Sequence, residues 1–202
     1  MYQHFFKRLF DIIGSLIILP FVLFEIIILA PIIWFTDRGP VFYNAPRLGK
    51  GGKPFKMFKL RSMYVNSSDL RNADGSTFNS DNDPRVTPIG RLMRKTSLDE
   101  FPQMLNVLIG DMSFVGPRPT VGKINPETFV GDRKRRYDVK PGVTGYSQAF
   151  YRNSISMEEK FKYDAYYVDH LSLWLDITVL WQTFISVIKH KNINTEQSLK
   201  QS

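Results

Sequence analysis

Ile12-Ile13-Gly14-Ser15-Leu16-Ile17-Ile18-Leu19-Pro20-Phe21-Val22-Leu23-Phe24-Glu25-Ile26-Ile27-Ile28-Leu29-Ala30-Pro31-Ile32-Ile33-Trp34-Phe35 is apolar except at Gly14, Ser15, Pro20, Glu25 and Pro31. As an ideal helix its 24 residues reach about 36 Å, enough for a hydrocarbon core of about 30 Å. Length alone predicts a transmembrane helix. Three features argue for a helix that dips into the bilayer and returns. Pro20 and Pro31 lack a backbone N–H and clash with the preceding turn, which predicts a bend. Glu25 lies near the middle, where a carboxylate must be paired, protonated or reached by water. Lys7 and Arg8 precede the stretch and Arg38, Arg47, Lys50 and Lys53 follow it, and such cationic flanks both favour the cytoplasmic side. A cleavable signal is disfavoured because no small-x-small site ends the stretch.

The rest of the chain is sized for one domain. With 202 residues and a net charge of +8, it can bury a core, and its sign suits nucleic acid, anionic lipid or phosphorylated small molecules. The absence of cysteine excludes disulfides, a thiolate nucleophile and zinc-thiolate sites. The boundaries expected are an anchor at 1–38, a catalytic domain at 39–191 and a polar tail at 192–202.

From Arg47 to Arg61 there are six cations and no acid. Glycines at 49, 51 and 52 predict a hairpin turn, and Phe55, Met57, Leu60 and Met63 predict a short strand. Lys59 and Arg61 end that strand, where they can reach a bound pyrophosphate. Asn66 to Pro84, rich in Asn, Asp, Ser and Gly, reads as a long loop of the lid type. From Pro88 to Leu108 apolar residues recur at spacings of three and four, which predicts helices.

Within that helical region lies Ser97-Leu98-Asp99-Glu100-Phe101-Pro102-Gln103, with two adjacent carboxylates. Ser97 and Glu100 have the spacing of a capping box. Acids beside cations at a bilayer surface equally suit phosphoryl transfer. Arg118, between Pro117 and Pro119, is presented from a stiff turn. Arg133 to Arg136 form a second cationic cluster, most of which reads as facing solvent or lipid. From Leu171 to Val187 the apolar stripe with Trp174 and Trp181 predicts core packing first and an interfacial helix second.

Lys7-Arg8-Leu9-Phe10-Asp11, Gly39-Pro40-Val41-Phe42, Phe58-Lys59-Leu60-Arg61-Ser62-Met63, Ser97 to Gln103, Val115-Gly116-Pro117-Arg118-Pro119 and Lys140-Pro141-Gly142-Val143-Thr144-Gly145 together resemble the small monotopic phosphoglycosyl transferases, bacterial sugar transferases that act on polyprenol phosphate. The likeness covers residues 4 to 190. It implies a helix-rich α/β fold: a re-entrant membrane helix and a compact catalytic domain on the cytoplasmic face, with a small β-hairpin and amphipathic interfacial helices. It also implies transfer of a sugar-1-phosphate from a UDP-sugar to undecaprenyl phosphate, dependent on Mg²⁺, with UMP released.

By the same resemblance Asp99 is the nucleophile and a metal ligand, Glu100 the partner acid, and Lys59, Arg94 and Arg118 phosphate ligands. The expected partners are the UDP-sugar, undecaprenyl phosphate and membrane lipid. A homodimer is compatible with the sequence, which does not fix oligomeric state, and nucleic acid is not expected beside so apolar an N-terminus. The expected location is the cytoplasmic face of a bacterial inner or plasma membrane. The chain departs from the family where a Ser-Pro pair would fall at Leu23-Phe24, and in having Arg136-Tyr137 and Gly145-Tyr146-Ser147-Gln148 in place of Arg-His and Gly-x-Ala-Gln. The rival reading is a non-catalytic polybasic protein of the lipid surface.

Overall fold

A single helix, α1, runs from Lys7 to Asp37 with both prolines inside it. It belongs to a computed structural model that describes residues 2–188 apart from 71–77, 79, 81, 123–124 and 153. The polarity of α1 is reversed relative to a helix on a water-soluble protein. Its buried residues are Lys7, Asp11, Ser15, Val22, Glu25, Leu29 and Ile33, spaced three, four or seven apart, so they form one stripe. Ile17, Phe21, Phe24, Ile27 and Phe35 on the remaining surface are all exposed. Polar groups inside and large apolar groups outside suit a helix whose outer face meets lipid.

The stripe binds α1 to the rest of the chain at both ends. Lys7 Nζ contacts Asp176 at 2.5 Å, and Arg8 donates to the carbonyls of Val107 and Leu108 at 2.5 and 2.7 Å. Those carbonyls end helix α3 (Gln103–Ile109), so Arg8 satisfies acceptors left open at a negative dipole end. Asp11 accepts from Ser113 Oγ and Phe114 N, each at 3.0 Å. Gly14 is required nearby because a Cβ would stand 2.6 Å from the Phe114 ring. At the far end Leu29 and Ile33 pack with Leu60 and Met93.

The expected hairpin is present. Strands β1 (Ala45–Leu48) and β2 (Pro54–Met57) pair antiparallel, Leu48 opposite Pro54, around a turn at Lys50–Gly52, and β4 (Thr120–Val121) joins the other edge of β1. The strand stops at Met57, and Leu60 and Met63 make single bridges to Phe42 and Val86. Strands β3 (Ser113–Val115) and β5 (Gly142–Thr144) pair in parallel. Gly142 allows that approach, since a Cβ there would lie 2.1 Å from Gly116 N.

Helices α2 (Pro88–Thr96), α4 (Gly131–Arg135), α5 (Tyr146–Phe150), α6 (Met157–Asp169) and α7 (Leu173–Ile188) complete the order. The main core gathers Val115, Val139, Ala149, Tyr167 and Val179 from β3, β5's approach and the last three helices.

Two expectations fail here. The stripe of α7 does not pack inward: Leu173, Trp174, Ile177, Leu180, Trp181, Phe184 and Val187 are exposed, and Asp176, Val179 and Ser186 are buried instead. Asp176 turns inward because Lys7, Tyr2 and Tyr167 all reach it, which fixes the rotation of α7 and leaves its apolar side outward. Ser97 and Glu100 form no capping box, because Ser97 sits at φ 61° as the residue that closes α2, and its side chain caps nothing. The chain's capping box is at Ser156 and Glu159, at the start of α6. Part of the expected lid loop and all of the polar tail lie outside the described residues.

Candidate active site

The left-handed turn at Ser97 reverses the chain after α2 and leads into a tight turn at Leu98–Glu100, with α3 following at Gln103. Left-handed backbone at a non-glycine residue is uncommon and recurs at functional turns. Asp99 is consequently swung inward and is 2% exposed. Its carbonyl accepts from Leu60 N at 2.9 Å, which ties the turn to the segment after β2. Asn106 of α3 holds that segment from the other side, accepting from Phe58 N and donating to Lys56 O, each at 2.8 Å. Lys59 is thereby carried to the two acids.

Lys59 Nζ lies 2.8 Å from Asp99 Oδ2, an ionic contact without hydrogen-bond alignment, and 3.1 Å from Glu100 Oε1. Burial works against the lysine's charge, but Glu100 and Asp99 outweigh it, so its pKa is raised. The Lys59 charge, working against burial and joined by Arg118, pulls the Glu100 carboxyl from 4.5 down to about 2. Arg118 Nη2 is 3.5 Å from Glu100 Oε1 while the arginine side chain stays 58% exposed. A guanidinium held through one terminal nitrogen and otherwise open to solvent is suited to an incoming phosphate.

Four of the five expected residues, Asp99, Glu100, Lys59 and Arg118, thus form one contact network. Arg94 stands behind it: its Nε donates to Ser62 Oγ at 2.9 Å. Burial lowers its pKa while Asp99 acts in the opposite direction. Arg61, expected to face a pyrophosphate, is elsewhere. It is 6% exposed and fastened to Asp37, with its other nitrogens donating to the carbonyls of Pro40 and Ile33. The two side chains part because the strand ends at Met57, so the two-residue repeat that would have put both on one face is not kept beyond it.

Sequence reasoning missed three contributors. Arg136, assigned to a solvated cluster, is buried; it pairs with Asp164 at 2.9 Å and donates to Arg118 O at 2.7 Å, bracing the Pro117-Arg118-Pro119 turn. Asn106 is fully buried. Glu25 points from α1 into the protein, its two oxygens sealed and without hydrogen bonds among the described residues. The signal for Arg136 was Asp164, an acid among aromatics on the buried face of α6. For Glu25 it was the lone acid of an apolar helix.

Comparisons with known proteins bear on the family of the chain. The profile of the family described as "Bacterial sugar transferase" matches residues 2–190. The chain is 40% identical to the "UDP-galactose-lipid carrier transferase" of Erwinia amylovora, over 93% of this chain and 41% of that relative. It is 40% identical to the sugar transferase EpsL of Bacillus subtilis (strain 168), over 93% of this chain and 89% of that one. It is 39% identical to the "Undecaprenyl-phosphate galactose phosphotransferase" of Salmonella typhimurium, over 93% and 41%. The chain therefore spans about two fifths of the first and third of these and nearly all of the second. On the profile match and these identities, the chain belongs to the bacterial sugar transferase family.

Proposed function

We propose that this protein transfers a sugar-1-phosphate from a UDP-sugar to undecaprenyl phosphate, releasing UMP, as a first membrane step of polysaccharide assembly. The observation that carries the reading is the buried Asp99 beside Lys59, Glu100 and Arg118, packed against the lipid-type helix α1. Relatives named for the transfer of galactose phosphate to undecaprenyl phosphate support it.

In the first step an Asp99 carboxylate oxygen attacks the sugar-bearing phosphorus, and the bond from that phosphorus to the UMP oxygen breaks, leaving the phosphosugar on the aspartate. In the second, an oxygen of undecaprenyl phosphate attacks the same phosphorus and the Asp99 carboxylate leaves. Lys59, 2.8 Å from Asp99 Oδ2, places positive charge beside the nucleophile and the diphosphate. Arg118 binds a phosphate oxygen, and Glu100 holds Lys59 and Arg118 in register while managing the proton of the incoming phosphate. Arg94 adds positive potential from behind. Asp99 Oδ2, sealed and without a hydrogen bond among the described residues, fits a hard cation, and Mg²⁺ held there would neutralise charge on the diphosphate as UMP leaves.

The same reading places α1 as a dip-and-return anchor, with the catalytic domain on the cytoplasmic face. Its support is the contact stripe from Lys7 to Ile33, which keeps both ends of the helix against one protein body. The exposed stripe of α7 would lie at headgroup depth, with Trp174 and Trp181 as interfacial residues.

The test is UMP release from a panel of UDP-sugars with undecaprenyl phosphate in detergent or nanodiscs. Release is expected with at least one sugar and is expected to fall at least about 10³-fold in Asp99→Asn. A transferase activity untouched by Asp99→Asn would refute the scheme.

A further inference from the structure

Glu25 is 9% exposed, and neither of its carboxylate oxygens accepts a hydrogen bond among the described residues. Ile26, which follows it, and Leu98, which precedes Asp99, pack against the same cluster of Leu29, Ile33, Leu60 and Met93. Leu60 in turn donates its N–H to Asp99 O. Glu25 and Asp99 therefore flank one packing seam between the membrane helix and the catalytic turn. Among the described residues, Asp99 is the charged group that acts on Glu25. Asp99 Oδ2 is sealed as well, with Lys59 its one ionic contact among the described residues, whereas Glu100 is matched by both Lys59 and Arg118.

Two buried carboxylates that feel each other across one seam, with no cation on one of them among the described residues, are costly in an apolar setting. A shared proton or a bound cation would relieve the cost. A proton brought between the two would meet the lysine already 2.8 Å from Asp99. A divalent cation relieves both acids at once. Among the described residues there is no cluster of three or more His, Cys, Asp or Glu able to hold a metal. That suits Mg²⁺, which takes one or two carboxylates and fills its other positions with water and phosphate oxygens.

We propose that Glu25 of the membrane helix is a second carboxylate ligand, with Asp99, for the divalent cation of the site. The inference rests on the transferase reading above. It makes α1 a component of the catalytic centre, so that seating the helix completes the metal site.

The experiment uses the full chain in nanodiscs and Mn²⁺ as an electron paramagnetic resonance probe, with Mg²⁺ competition. Glu25→Gln is expected to weaken Mn²⁺ binding at least about tenfold, a loss of the size seen when metal-site support is removed. Glu25→Gln combined with Asp99→Asn is expected to lose less than the two single losses together, since both act on one ion. Wild-type affinity in Glu25→Gln would overturn the proposal and leave Glu25 as a proton-bearing group. A second measurement needs no variant: dicyclohexylcarbodiimide, which labels acids in apolar surroundings, should modify Glu25 without metal, and Mg²⁺ should block it. Labelling that ignores Mg²⁺, read by peptide mass spectrometry, would equally overturn it. UMP release by the wild type is measured in the same preparation. Its absence with every UDP-sugar would sink the transferase reading while leaving the Mn²⁺ result interpretable.

Discussion

Lys59 Nζ stands 2.8 Å from Asp99 Oδ2, in a pair whose aspartate is 3% exposed at the side chain and whose lysine is 22% exposed. The lysine therefore serves stability as well as the proposed chemistry. Lys59→Met would leave Asp99 and Glu100 adjacent without their shared cation. Removing one partner of a fully buried pair costs about 3–5 kcal/mol, and the partial exposure here brings the expectation to about 2–3 kcal/mol. Thermal unfolding in detergent should report that loss, together with a fall in UMP release of at least about tenfold. A variant as stable and active as the wild type would remove Lys59 from the site.

Glu100 makes the site acid-sensitive in a defined window. Its folded pKa of about 2 lies below the ordinary 4.5, so the unfolded chain binds the extra proton between those values and stability rises with pH there. The contribution is complete above about pH 4.5 and is lost as pH falls towards 2. The stability gap between wild type and Glu100→Gln should therefore narrow as pH is lowered from 5 to 3. A constant gap across that range would show that Glu100 is not held ionised by Lys59 and Arg118.

Asp176 is the fastening between α7 and the start of α1. Tyr2 and Tyr167 donate to it at 2.6 Å each and Lys7 at 2.5 Å. Asp176→Asn would leave the buried Lys7 charge uncompensated, for an expected loss of about 3–5 kcal/mol. In a chain of this size that corresponds to a drop in melting temperature on the order of 10 °C. A drop of less than about 3 °C would mean that the helix is held by its apolar contacts alone.

The anchor can be tested directly, because the chain contains no cysteine. Single cysteines placed at Gln3 and Ser67 lie on opposite sides of α1 in sequence. Both should react with an impermeant maleimide only after the cytoplasmic side is opened. Reaction of one from each side would make α1 a span and rule out the dip-and-return topology.

Much of this organisation is visible in the linear chain because it depends on local chemistry. The apolar run with cationic flanks specified a membrane-type helix, and the glycines from 49 to 52 specified the hairpin between β1 and β2. The acid pair after an apolar-periodic stretch marked the site only in company with the cations of residues 47 to 61 and the motif segments around it.

What the sequence could not decide are matters of rotation and of partners distant along the chain. Whether α7 turns its tryptophans in or out depends on Lys7, some 170 residues away, reaching Asp176. That Lys59 joins Asp99 while Arg61 joins Asp37 depends on where β2 stops and on Asn106 gripping residues 56 and 58. Composition and periodicity determined that this protein meets lipid and carries an acid pair beside cations. Only the tertiary structure brought Glu25 to the seam beside Asp99 and put Arg136 beneath Arg118. Local patterns set which surfaces are apolar or charged, whereas the choice of which charge faces which is made by long-range packing, where each buried group needs a partner.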